Sequence, residues 1–375
     1  MKPLGLYFHI PFCPYRCHYC DFLSFAKHEE EIPAYVKALV SDLKFFSESC
    51  RDYEIRTIFL GGGTPSLLSA QQIEAILSAV QTFFHTSCAL EITVESNPGT
   101  ITFEKLSSYL SLGVNRLSFG VQALQNHHLK RMGRIHTAEE AEQGFNLARK
   151  AGFQNINTDL IFGLPNQTLE EWENTLGQVL QWAPEHISMY GLQIEEGTPF
   201  STDHKQGILT LPGEEIEASM YEKGIEFLRE QGYDQYEISN FAKPGFECRH
   251  NLIYWMNEEY LGIGLGAVSY LNKKRFWMTR NLLKYLKGEE RAIGEEVLPV
   301  EKEMGETMML GLRLLQGVSN LSFFNRFGKK IQDVYKKQIS KYSPSGLLEW
   351  KNENLCLSLS GMMIANEIIQ DFIII

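Results

Sequence analysis

Residues 7–20 read YFHIPFCPYRCHYC, a short β-type run leading straight into three cysteines. Cys13, Cys17 and Cys20 stand in a C-x3-C-x2-C pattern, and thiolates clustered on one loop bind soft metals or iron–sulfur clusters. Three thiolates cannot close a cubane of four irons, so one iron would keep an open position for a substrate or cofactor. A zinc knot with His18 as fourth ligand is the competing reading of the same residues. Cysteines 50, 88, 248 and 356 bring the count to seven. An odd number in a chain with no visible secretion signal does not read as a disulfide framework.

Outward from this stretch, the chain alternates short β-branched or aromatic runs with helical ones. Strands are expected at Gly5–Ile10, Thr57–Leu60, Leu90–Glu95, Arg116–Val121, Asn155–Phe162 and His186–Leu192. Helices are expected at 31–49, 69–84, 102–112, 137–151 and 168–182, the last opened by a capping box from Thr168 to Glu171. Such alternation builds a parallel sheet, here an α/β fold with a partial parallel (β/α)6 barrel. The barrel is expected over 1–235, with 201–215 as a polar boundary or linker inside it and a helix at about 213–231. A less regular connecting region follows over 236–294, and a small, mainly helical C-terminal domain over 295–375. The tail QDFIII reads as a last buried strand or helix end.

In a parallel β/α fold, ligands gather at the carboxyl ends of the strands. Gly61, Gly62, Gly63, Thr64 and Pro65 follow the second strand, where glycines let backbone amides approach a polar ligand. Glu95 and Gln122 close the third and fourth strands, Asp159 sits in the fifth, and Arg134 lies on the loop after the fourth. Each alone is as readily a helix cap or a surface charge. Together they put polar or glycine elements at five successive strand ends.

Hydrophobic residues make up 44% and charged residues 22%, which excludes a disordered or fibrous chain. A net charge of −11 argues against a nucleic-acid partner. No signal peptide or run of about 20 apolar residues is visible, so the cytoplasm is the expected compartment.

C-x3-C-x2-C after a first strand, followed by GGGTP, resembles the radical S-adenosylmethionine (SAM) superfamily. YFHIPFC, GGGTPS, ESNPG, RLSFGVQ and DLIFGLPNQT together resemble the branch holding oxygen-independent coproporphyrinogen III oxidase and its heme-chaperone relatives, over Tyr7 to about Gly266. The resemblance implies that Cys13, Cys17 and Cys20 ligate a 4Fe–4S cluster whose open iron takes SAM. It further implies that Tyr7 and Tyr19 lie beside that site and that Gly62, Gly63 and Thr64 contact the methionyl end. Glu95, Gln122, Arg134 and Asp159 match the branch's remaining SAM positions. Reduction of the sulfonium would give methionine and a 5′-deoxyadenosyl radical.

Two oxidase features are missing: Phe22 stands where the oxidases carry a fourth cysteine, and only six residues precede Tyr7. The HNxxYW motif of the chaperone relatives is matched by residues 250–255, HNLIYW. An imidazole can ligate heme iron, so His250 is the expected heme ligand, with Cys248 a second candidate. The expected function is that of a heme chaperone that delivers heme to apo-hemoproteins. An electron donor would reduce the cluster, and membrane-associated acceptors and a homodimer are compatible with this reading. The alternative is oxidative decarboxylation of coproporphyrinogen III to protoporphyrinogen IX. Radical modification of RNA is disfavoured by the charge and by the lack of an added RNA-binding module.

Overall fold

A computed structural model describes residues 1–373. The strands and helices expected up to residue 191 all form, each within a few residues of its expected bounds except at the N-terminal ends of the first three strands. In chain order they are β1 (Lys2–Ile10), α1 (Ile32–Ser47), β2 (Tyr53–Gly62), α2 (Ala70–Phe83), β3 (His85–Ser96), α3 (Phe103–Ser111) and β4 (Arg116–Gln122). A short α4 (Asn126–Arg131) precedes α5 (Ala138–Ala151), β5 (Ile156–Phe162), α6 (Leu169–Gln181) and β6 (His186–Gly191). Strands β1 to β6 pair in parallel in sequence order. The Thr168–Glu171 capping box is present, with the Glu171 N–H donating to Thr168 Oγ1 at 3.2 Å and the Thr168 N–H to Glu171 Oε2 at 2.9 Å.

The side chains of these strands sort by the two-residue period of β structure. Leu4, Leu6, Phe8 and Ile10 of β1 are fully buried in the layer covered by helices, where Tyr35 and Leu39 of α1 also lie. The alternate positions face the lumen and are largely polar. Thr57, Glu95, Ser118, Asn157, Asp159, His186 and Ser188 hydrogen-bond to one another or to lumen neighbours. Hydrophobic burial on one face thus fixes the register that gathers the polar set on the other.

Two expectations need correction. The 201–215 boundary begins inside a helix, α7 (Pro199–Lys205), whose N-cap Thr198 accepts from the Ser201 N–H at 3.1 Å. The chain then passes α8 (Glu214–Glu230) and two short strands, β7 (Asp234–Gln235) and β8 (Asn240–Ala242), the latter antiparallel to β6. The region beyond 236 is not merely connecting. After α9 (Arg249–Trp255), β9 (Tyr260–Ile263) pairs in parallel with the free edge of β1, matching Leu6 to Leu261. Antiparallel β10 (Val268–Leu271), β11 (Lys274–Met278) and, after α10 (Leu282–Leu286), β12 (Ala292–Val297) extend this to one sheet of 12 strands. Its order is β12-β11-β10-β9-β1-β2-β3-β4-β5-β6-β8-β7. The glycines of LGIGLGA hide this strand in the sequence. They serve close packing, because a Cβ on Gly262 would lie 2.2 Å from the Val268 carbonyl oxygen.

The C-terminal unit has its own core around Met304, Met308, Phe323, Tyr335, Leu355 and Ile368. It is helical, from α11 (Val300–Gly311) to α16 (Ala365–Gln370), but its helices are joined by a three-stranded sheet of β13 (Val318–Ser319), β14 (Leu348–Lys351) and β15 (Asn354–Leu357). Strands of two to four residues leave too little alternation to read. In the tail, Gln370 ends α16 and Phe372 is fully buried, while Ile374 and Ile375 lie outside the described residues. Among the described residues, no helix is long and apolar enough to cross a membrane.

Candidate functional site

A cavity of about 380 Å³ opens at the carboxyl ends of β1 to β6. Cys13, Cys17 and Cys20 line one side of it, all three thiols free and partly exposed. The glycine loop is pinned against the start of the cysteine loop: the Gly63 N–H donates to the Ile10 carbonyl at 2.9 Å and the Thr64 N–H to the Phe12 carbonyl at 2.8 Å. Nothing larger than glycine fits here. A Cβ on Gly62, whose φ is +105°, would lie 2.5 Å from the His9 ring, and one on Gly63 would lie 2.7 Å from the Ile10 oxygen.

Tyr19, Gln122, Arg134, Glu95 and Asp159 line the same cavity, together with Gly62, Gly63 and Thr64. Glu95 accepts the Gly62 N–H at 3.0 Å. Burial, and then the neighbouring Asp159, push its carboxyl up to about 7. Burial also raises Asp159, against hydrogen bonds from Ser118 at 3.0 Å and Asn157 at 2.8 Å. Two half-buried carboxyls that resist ionising are a ready partner for a cation. Gln122 has a φ of +69°, at the irregular step where β4 pairs with β5, an uncommon conformation for a side-chain-bearing residue.

Arg134 donates to Asn97 Oδ1 at 2.7 Å and to the Gly120 carbonyl at 2.6 Å, and its Nη1 lies 3.6 Å from Cys17 Sγ. Asn97 donates in turn to Thr64 Oγ1 at 2.9 Å, and that hydroxyl points at Cys13 Sγ at 3.6 Å. Sequence reasoning passed over Asn97, although it stands two residues after Glu95 in ESNPG. Its amide thus links donors to two of the three sulfurs. Arg134 Nε and Ser96 Oγ are buried without a hydrogen-bond partner beside this cavity. Free thiols with N–H and O–H donors aimed at them, two raised carboxyls and orphaned donors fit a thiolate-bound cluster and a cationic polar ligand. His18, the competing zinc ligand, has its Nδ1 on the Arg131 carbonyl at 2.9 Å.

Tyr7 does not line the cavity. Its hydroxyl meets His9 Nδ1 at 3.0 Å, and its ring lies against Phe59 and His250, with centroids 6.3 and 6.4 Å away. His250 sits deeper in the lumen and is 1% exposed. Its Nδ1 meets Thr57 Oγ1 at 2.7 Å, its Nε2 meets the Tyr254 hydroxyl at 2.9 Å, and its ring stacks on Phe59 with centroids 5.1 Å apart. Burial, then Arg116, push the imidazole down to about 3, so it is neutral. In this conformation neither nitrogen of the expected heme ligand is free. Glu91 fixes the helix that carries it, accepting the Arg249 N–H at 3.1 Å and the His250 N–H at 3.0 Å. Cys248 is fully buried, and burial pushes its thiol up to about 12, so it offers no thiolate at neutral pH.

Comparison with known proteins gives three findings. Residues 7–179 match the family model of the radical SAM superfamily, and residues 298–364 match that of the HemN C-terminal domain. The chain is 38% identical over 375 residues to the protein named heme chaperone HemW of Lactococcus lactis, covering 100% of this chain and 98% of that one. It is 36% identical to that of Bacillus subtilis, covering 98% of each. Among solved structures it resembles coproporphyrinogen III oxidase (HemN) of Escherichia coli, with a TM-score of 0.85 and 22% identity over 99% of this chain and 90% of that one. That last likeness bears on the fold alone.

Proposed function

Because the chain belongs to the heme chaperone HemW family, we propose that it binds heme and delivers it to apo-hemoproteins, with a 4Fe–4S cluster and SAM at the barrel mouth. The observation that carries this is the full-length kinship with named chaperones. Phe22 supports it: the side chain that replaces the oxidases' fourth cysteine is 62% exposed at the cavity rim and is no metal ligand.

Cys13, Cys17 and Cys20 would hold the cluster, and a bound cluster and SAM would together supply one-electron chemistry. Tyr19, Gly62, Gly63 and Thr64 would take the methionyl end. Gln122 and Arg134 would orient the rest of the molecule, while Glu95 and Asp159 would neutralise its positive groups. Tyr7 would act through His9 and Phe59 rather than by contact. An electron donor and apo-hemoprotein acceptors are the implied partners, in the cytoplasm or at the membrane surface.

Heme iron would reach His250 only after one of its nitrogens is released, Nε2 by Tyr254 or Nδ1 by Thr57. Tyr254→Phe removes one of these restraints without emptying the space. Heme uptake should therefore be faster in Tyr254→Phe than in the wild type, and His250→Ala should lose the shifted Soret band. Heme-loaded protein should also reconstitute an apo-hemoprotein faster than free heme does. An unchanged Soret band in His250→Ala would move the heme ligand to another residue. Multiple turnovers of coproporphyrinogen by the reconstituted, reduced protein would replace the chaperone reading with the oxidase one.

A further inference from the structure

On the outer surface, away from the lumen, α4 carries two consecutive histidines that converge on one carboxylate of α6. His127 Nε2 lies 3.3 Å from Glu171 Oε1, and His128 Nε2 lies 3.3 Å from Glu171 Oε2. One ligand atom from each residue lies within 4.8 Å of the other two. Neighbouring helical residues diverge by about 100°, so two successive imidazoles do not meet one acceptor by default. Here the ring centroids approach to 4.0 Å.

The three groups differ in how firmly they are held. His128 is 2% exposed, and burial lowers its imidazole. Glu171 is anchored by the capping box through Thr168, while Oε1 faces the exposed His127. Gln125 and Thr175 tie the start of α4 to α6, with Gln125 donating to the Glu171 carbonyl at 2.9 Å and Thr175 to Gln125 at 3.1 Å. Two imidazoles and a carboxylate on two tethered elements are a common donor set for zinc and its neighbours. Metal–ligand bonds of about 2.0–2.1 Å in tetrahedral geometry put neighbouring ligand atoms about 3.4 Å apart. Each His–Glu separation, to its own carboxylate oxygen, is near that value, and with one atom from each residue the three lie within 4.8 Å, so a small side-chain adjustment would close the site.

We propose that His127, His128 and Glu171 form a site for one divalent transition-metal ion, zinc by geometry, with the fourth position open to solvent. The ion would clamp α4 to α6. The far end of α4 holds the cysteine loop: the His18 N–H donates to the Met132 carbonyl at 2.9 Å and His18 Nδ1 meets that of Arg131 at 2.9 Å. Metal at this site would therefore steady the segment that carries Cys17.

The test is zinc titration of the full chain by competition with a chromophoric chelator. It is run on protein whose Cys13, Cys17 and Cys20 are replaced by Ser, so that those thiols take no zinc. One equivalent should bind at micromolar or tighter affinity and raise the melting temperature. His127→Ala, a change at an exposed position, should weaken that binding by about 100-fold and abolish the thermal shift. Glu171→Gln, which keeps the capping hydrogen bonds, should do the same. Equal affinity in wild type and His127→Ala would overturn the site, as would binding only at millimolar zinc. Either result would leave the cluster and heme readings untouched.

Discussion

Glu95→Gln should make the ligand-free protein more stable and a poorer binder of SAM. In the folded chain this carboxyl titrates at about 7 against an ordinary 4.5, because burial and Asp159 disfavour its charge. The folded state therefore holds the proton more tightly than the unfolded state. Stability is complete below about pH 4.5 and declines as pH rises through 7. A difference of 2.5 units corresponds to about 3 kcal/mol lost by pH 8. For 375 residues the entropy of unfolding is about 0.8 kcal/mol per kelvin, so the loss amounts to about 4 °C in Tm. Glutamine fits the same space, can accept the Gly62 N–H and has no proton to lose. Thermal melts of ligand-free wild type and variant from pH 4 to 8.5 should coincide at the acid end and separate by about 4 °C at pH 8, the variant higher. Titrating groups remote from Glu95 act on both curves and cancel. SAM affinity of the variant should fall roughly tenfold to hundredfold, the cost of a lost charge-assisted hydrogen bond. Parallel melting curves across the whole range would refute the assignment of a strained, cation-seeking carboxylate.

Replacing Cys13, Cys17 and Cys20 together by Ala should abolish an iron content of about four per chain after anaerobic reconstitution, whereas replacing Cys50, Cys88 and Cys356 should leave it intact; stoichiometric zinc in place of iron would end the cluster assignment. Asn97→Ala should release Arg134 from the Cys17 sulfur. Withdrawing that charge from 3.6 Å to about 6 Å changes the Coulomb energy by about 2 kcal/mol at an effective dielectric of about 20, so the cluster's midpoint potential should fall by about 50–80 mV in a redox titration followed by electron paramagnetic resonance. An unchanged potential would mean that Asn97 only fills space. Gly62→Ala should lower iron loading and stability together, by 1–3 kcal/mol or more, because its φ of +105° and the His9 ring both exclude a methyl group; normal loading would show that the loop can shift.

The barrel was legible because its signals are local and repeated. Strand-like and helix-like runs alternate repeatedly, capping boxes mark helix starts, and the cysteine spacing leaves few readings. Most of the candidate mouth followed, since parallel topology brings Glu95, Gln122 and Asp159 to one end. What the sequence concealed depends on contacts between distant segments. Asn97 is one polar residue beside a more conspicuous Glu95, and its role appears only when Arg134 and Thr64 arrive from either side. Strand β9 is four residues long and broken by glycine, so its place beside β1 rests on the shape of its neighbours. His250 was visible as part of a motif, but a short aromatic run reads alike whether it faces solvent or a lumen.

The pairing of β9 with β1 also sets a clock for synthesis. Strand β1 is central in the finished sheet, yet its partner at Tyr260–Ile263 is translated about 200 residues after β2 is complete. At about 5–20 residues per second, one edge of β1 stays bare for about 10–40 s on the ribosome. An unpaired strand edge is open to any other chain. The nascent polypeptide, more than the finished protein, is therefore the species exposed to aggregation.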